Sequence, residues 1–118
     1  MKKSAICAAV WLLVAAHGVA YAAPKTPEQK AAEEARFQLD ALKIRAMREK
    51  MKNPASFKLL QAARMDSGAL CVVYRATNGF NAVVTEQKAI AVNGSLGDWN
   101  KLCAGKSGED ISYIRQAL

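Results

Sequence analysis

Three cysteines and one histidine are the residues of this 118-residue chain best suited to nucleophilic or metal chemistry. Cys7 and His17 both belong to an N-terminal stretch that reads as a removable leader, which leaves Cys71 and Cys103. Without an imidazole, neither a Ser-His-Asp nor a Cys-His arrangement can be assembled. Two thiols alone do not complete a structural zinc site, so no metal is expected. Carboxylates remain: Glu28, Glu33, Glu34, Asp40, Glu49, Asp66, Glu86, Asp98, Glu109 and Asp110. Most fall on a helix surface, in turns or at helix starts. Glu86 and Asp98 are a pair whose meeting in a cleft would permit acid–base work, but no convergence is evident from their spacing. Gly105-Lys106-Ser107 has the last residues of a phosphate loop, yet Asn100 stands where that pattern requires glycine. Asn93-Gly94-Ser95 is a formal glycosylation sequon and reads here as a turn. The expectation is a protein that is not an enzyme, with no catalytic residue, cofactor or metal.

The leader has three parts in order. Met1-Lys2-Lys3 is positive, Ala5 to Ala16 is continuously apolar, and Ala20-Tyr21-Ala22 is a small-x-small cleavage pattern. The apolar run falls well short of the roughly 20 residues that span a bilayer core. Residues 1–22 are therefore expected to be a signal peptide cut between Ala22 and Ala23, leaving no stable transmembrane segment. The two-lysine start and short apolar stretch look bacterial, so the expected location is the periplasm, or secretion beyond it. The chain carries 17 Lys and Arg against 10 Asp and Glu, and it remains basic once Lys2 and Lys3 are gone.

In an oxidising compartment Cys71 and Cys103 are expected to form a disulfide. Their spacing is not C-x-x-C and no imidazole lowers a thiol pKa, which disfavours a redox pair. Closing a loop of this length is worth about 3.7 kcal/mol by chain entropy, a large share of a small domain's stability.

Residues 23–25 read as a short tail and 26–118 as one α+β domain. Thr26-Pro27-Glu28-Gln29 starts a helix, with Thr26 as N-cap, Pro27 in the first turn and Gln29 closing a capping box. Helix formers continue to Lys52, where Asn53-Pro54 stops them. Phe37, Ala41, Ile44, Met47 and Met51 share the face that should pack on the domain. Ala35, Leu39, Leu42 and Ala46 form a smaller second stripe. The body is expected to wrap around both sides; a helix-mediated contact or dimer is the alternative. The helix's N-terminal third, where it projects past a compact body, is a further candidate for such a contact.

From residue 56 to 93 the period is two. Phe57, Leu59, Gln61, Ala63 and Met65 alternate with Lys58, Leu60, Ala62 and Arg64. Leu70 to Ala76 is apolar on both sides and should be central. Val83 to Val92 makes a third strand, with Val84, Ile90 and Val92 on one side and Glu86 and Lys88 as polar interruptions. Asp66-Ser67-Gly68, Asn78-Gly79 and Asn93-Gly94 are turns. Short turns between sequential strands imply a three-stranded antiparallel meander with the helix across one face. In the segment 94–118, Asp98 caps a helical turn through Trp99 to Cys103, and Ser107 with Asp110 caps a last short helix bearing Ile111, Ile114 and Leu118.

Two features suit binding. Arg45, Arg48 and Lys52 cluster on one helix sector, able to hold anionic headgroups or glycans, although a solvated flank is the plainer expectation. Nucleic acid is not expected, because no aromatic stacking platform interleaves with the cations. Phe80, in the Asn78–Asn81 loop, is expected to fold back onto the core edge; exposed, it would anchor a partner. Trp99 should pack near the disulfide.

Asn53-Pro54-x-Ser56-Phe57, Cys71-x-x-Tyr74-x-Ala76-x-Asn78-Gly79-Phe80, Trp99 and Cys103 together resemble a group of small exported bacterial proteins of unknown function. The similarity covers roughly Ile44 to Cys103, and Asn81 stands where that group often has glycine. It implies the architecture of helix, junction, strands and loop, and supplies no catalytic or binding residues.

The expected role is a binding module of the cell envelope, with an envelope protein or an anionic envelope component as partner. The alternative is an enzyme inhibitor inserting the Asn78–Asn81 loop. Intact-mass analysis of the exported protein should give the mass of residues 23–118 and no alkylatable thiol; a full-length mass or two free thiols would overturn the leader and the bridge.

Overall fold

The computed structural model describes residues 23–118. The expected signal peptide, residues 1–22 including Ala22, lies outside the described residues, and Ala23 is the first within them. Helix α1 spans Pro27–Glu49. Its start is the expected capping box: the Gln29 N–H donates to Thr26 Oγ1 at 3.1 Å, and the Thr26 N–H donates to Gln29 Oε1 at 3.0 Å. It ends three residues before Lys52, with Lys50 as C-cap. Proline bars its predecessor from α geometry, so Asn53 is extended (φ −132°) and the last helical turn gives way to a 3₁₀ turn at Pro54–Ser56.

The strands are β1 (Lys58–Met65), β2 (Leu70–Thr77), β3 (Val83–Ile90), β4 (Leu96–Gly97) and β5 (Gly108–Asp110). They form one five-stranded sheet in the order β4-β3-β2-β1-β5, with every pair antiparallel. The expected meander is its centre, and a three-stranded sheet is too narrow a description. Both extra strands come from the segment 94–118: β4 places Leu96 opposite Ile90, and β5 places Gly108 opposite Met65. Strands of two and three residues are too short to show a period. Only glycine fits at 108, where an added Cβ would lie 2.7 Å from the Arg64 carbonyl oxygen.

Strand β1 departs from strict alternation. A bulge between Leu59 and Gln61 lets Leu59 pair with Tyr74 and Gln61 with Val73. Leu59 and Ala62 consequently both face the helix, while Gln61 is exposed. On that face Leu59, Ala62, Leu70, Val72, Tyr74 and Ile90 pack with Ala41, Ile44 and Met47 of α1. Ile111 and Ile114 join them from a second 3₁₀ turn, Ser112–Ala117. Neither Ser107 nor Asp110 caps this turn, whose N-cap is Ile111 without a side-chain hydrogen bond. Asp110 instead accepts from the Ser112 hydroxyl and N–H, which hold its carboxyl below the usual range. The opposite face is a smaller core of Met65, Ala69, Cys71, Ala89 and Cys103 under Trp99 and Leu102. Helix α2 (Trp99–Leu102) supplies the latter two, and the Cys71–Cys103 disulfide ties it to β2. Val92, read as a strand residue, lies past the end of β3 and is exposed.

The body does not wrap around α1. Residues 27–36 are all exposed, and along the second stripe Leu39 and Leu42 remain 51% and 56% exposed. Phe37 closes the packed side by stacking on Tyr113, with ring centroids 5.7 Å apart. No helix among the described residues is long and apolar enough to cross a membrane.

One ion pair pins α1 to the sheet. Asp40 is 3% exposed and accepts from Arg64 Nε at 2.7 Å and from Arg64 Nη2. Arg64 Nη1 donates to Glu109 Oε2 at 3.1 Å, so one guanidinium joins α1, β1 and β5. Removing one member of a buried pair strands the other's charge, at a cost of roughly 3–5 kcal/mol. Arg64→Met is expected to lower unfolding free energy by about that amount. Asp40→Leu combined with Arg64→Met should recover most of it, as measured by urea titration.

Candidate functional site

A cleft of about 330 Å³ opens between the C-terminal end of α1 and the sheet. Alternation along β3 builds one wall: Val84, Glu86 and Lys88 lie opposite Ala76, Tyr74 and Val72, on the helix-facing side. Glu86 and Lys88 are the polar interruptions noted in the sequence. All three residues stand where the helix does not reach, and Glu86 is exposed while Val84 and Lys88 are half-buried. Met47, Met51, Tyr74, Ala76, Val84 and Leu96 give the cleft an apolar lining, and Lys50, Lys52 and Lys88 add three cations.

Glu86 is the only acid among the described residues that line this cleft, and its Oε2 accepts from the Tyr74 hydroxyl at 2.8 Å. Burial raises the Tyr74 pKa well above that of ordinary tyrosine; the hydrogen bond to Glu86 and that residue's charge raise it further. The phenol is thus a fixed donor, steadied by Phe57 with ring centroids 5.1 Å apart. Asp98 does not line this cleft: its Oδ1 accepts from the Asn100 N–H at 2.9 Å, capping α2. Glu86 and Asp98 are therefore not brought together there.

The β2–β3 loop borders the cleft. Asn78 Oδ1 accepts from the N–H groups of Phe80 (2.9 Å) and Ala82 (3.1 Å), and Asn81 takes a left-handed conformation with φ +61°. Asparagine tolerates that region better than most residues with a side chain. Phe80 does not fold back. It is 92% exposed, on a loop that the Asn78 bonds hold in a closed turn.

The loop is anchored from below by the Asn53–Phe57 junction. Ser56 Oγ donates to the Asn53 carbonyl at 2.7 Å and accepts from the Thr77 N–H at 2.9 Å. Lys52 lies over Gly79, where an added Cβ would stand 3.1 Å from Lys52 Nζ. The segment that follows the helix end therefore delivers Lys52 to the loop.

Arg45 and Arg48 are not part of this cleft. Arg48 is half-buried, with Nε 3.6 Å from Glu49 Oε1; Arg45 is half-buried, and its Nε is buried without a hydrogen-bond partner among the described residues. The predicted basic sector thus divides, because Lys52 lies beyond the helix end. Sequence reasoning missed Lys50, Lys88, Tyr74 and Glu86 as neighbours. The available signal was the polar residues at inward positions of β3. Among the described residues no three His, Cys, Asp or Glu side chains converge as metal ligands.

No family model matches the chain, and neither a curated protein nor a solved structure shows significant similarity to it.

Because Tyr74 ionises less readily folded than unfolded, its contribution is complete below the unfolded pKa of about 10 and is lost as pH rises through the higher folded value. Urea midpoints should therefore fall above about pH 10, and Tyr74→Phe should flatten that part of the profile. Identical profiles for the two proteins would refute the role of the buried phenol.

Proposed function

We propose that the protein is an exported, non-enzymatic binding module of the bacterial cell envelope, acting in the periplasm or after secretion. Its partner is an envelope protein or an anionic envelope component held at the cleft and the Asn78–Asn81 loop. The observation that carries this reading is Phe80, 92% exposed on a hydrogen-bonded loop beside a cleft with three lysines. A fully presented aromatic on a preorganised turn loses little entropy on docking and buries a large apolar area. Lys50, Lys52 and Lys88 add attraction for anionic groups, within the roughly 8–10 Å over which physiological salt leaves charges coupled.

The inhibitor reading draws on the same presented ring, since a projecting loop tip is what insertion into an active site requires. The basic balance of the chain argues against a basic lysozyme as its target.

The test is quantitative association of the purified protein with isolated envelopes of the exporting cell, at low and physiological salt. Phe80→Ala should weaken association about tenfold, as loss of a hot-spot aromatic does. Lys52→Glu with Lys88→Glu should abolish its salt dependence. Association unaffected by either change would overturn this assignment. Inhibition of a soluble exported enzyme, lost in Phe80→Ala, would select the inhibitor reading instead.

A further inference from the structure

A second surface, separate from the cleft, runs along α1. Ala32, Ala35, Leu39, Leu42 and Ala46 follow one another at alternating intervals of three and four residues, the a and d pattern of a helix that pairs with another helix. All five are exposed, while Asp40, Ala41, Ile44 and Met47 on the other side are buried against the body. Val92, also exposed, lines the same groove as Leu39 and Lys43, with Asp66 and the Arg64-paired Glu109 on the groove's sheet side.

Along the helix itself, the charged residues bordering this stripe are cations. Arg36 and Lys43 border one edge, and Gln38 and Arg45 border the other. The acids within this span are committed elsewhere: Glu33 pairs with Lys25, Glu34 accepts from Gln38 Nε2 at 2.9 Å, and Asp40 is buried on Arg64. The buried Arg45 Nε has no acceptor among the described residues. A second copy is a poor occupant, because alanine would face alanine and Arg36 and Lys43 would meet cations like themselves.

We propose that this stripe docks one amphipathic helix of a protein partner, with large apolar residues that fill the notches left by Ala32, Ala35 and Ala46 and with acidic flanks that meet Arg36, Lys43 and Arg45. Alanines admit the partner's leucines closely, and Leu39 and Leu42 form the centre of the seam.

The probe is a synthetic peptide of roughly four heptads with Leu at a and d and Glu at e and g, whose own charges prevent self-pairing. Its counterpart has Lys at e and g. Fluorescence anisotropy with the purified protein should show saturable binding of the Glu peptide, weakened by added salt, and about tenfold weaker binding of the Lys peptide. Leu39→Gln with Leu42→Gln should weaken the Glu peptide about tenfold without moving the urea midpoint, because both side chains are exposed. Arg36→Glu with Lys43→Glu should reverse the preference between peptides. Equal binding of both peptides, binding of neither, or binding indifferent to the leucine changes would overturn the proposal. A dimer of the protein alone in sedimentation, dissociated by Leu42→Gln, would assign the stripe to a second copy and overturn it too.

Discussion

Successive residues of β2 are buried on opposite sides of the sheet: Leu70, Val72, Tyr74 and Ala76 toward α1, Cys71 toward Trp99 and Cys103. A strand apolar on both faces needs cover on both, and one helix can cover only one. Much of the remaining chain follows from that constraint. After β3 the chain turns through β4 and lays α2 on the second face, where the disulfide holds it. It then returns as β5 along β1 and places Ile111 and Ile114 beneath α1. Two thin cores share one central strand, so a covalent tie between β2 and the residue following α2 secures the layer least able to hold itself by burial.

Covering the first face takes only part of α1. Its packed side runs from Phe37 to Met47, and the Asp40–Arg64–Glu109 cluster sets the helix's position over β1 and β5. Two surfaces are left over. Beyond the helix end, the inward positions of β3 stay open and become the cleft. Along the helix's outer side, Leu39 and Leu42 stay open and become the stripe. Both arise because a single helix is narrower than the sheet beneath it and is apolar on more than one side.

Much of the architecture was legible in the sequence because it is written in short-range pattern. Thr26-Pro27 and Asn53-Pro54 bracket the helix through capping chemistry and proline sterics, and the residues of its packed face follow from a 3.6-residue period. The three long strands and the doubly apolar character of β2 are likewise local. The missed parts are those without a local code. Strand β5 packs where Gly108 can approach the Arg64 backbone, and the bulge at Leu59–Gln61 shifts the register of β1 against β2, which no local pattern announces. The Asp40–Arg64 pair joins residues 24 positions apart, each of which reads alone as an ordinary surface charge.

The candidate site shows the same division. Sequence by itself determined the residue types: a basic chain, a paired set of cysteines, an asparagine-led loop with a phenylalanine, and polar interruptions at Glu86 and Lys88. Only the tertiary structure decided that Lys52 meets Gly79, that Arg45 and Arg48 stand apart from the cleft, and that Phe80 faces outward. The physical reason is that side-chain type and periodicity are properties of neighbouring residues. Exposure and convergence depend on where other elements end, and here α1 ends one turn early while hydrogen bonds within the β2–β3 loop leave Phe80 outward.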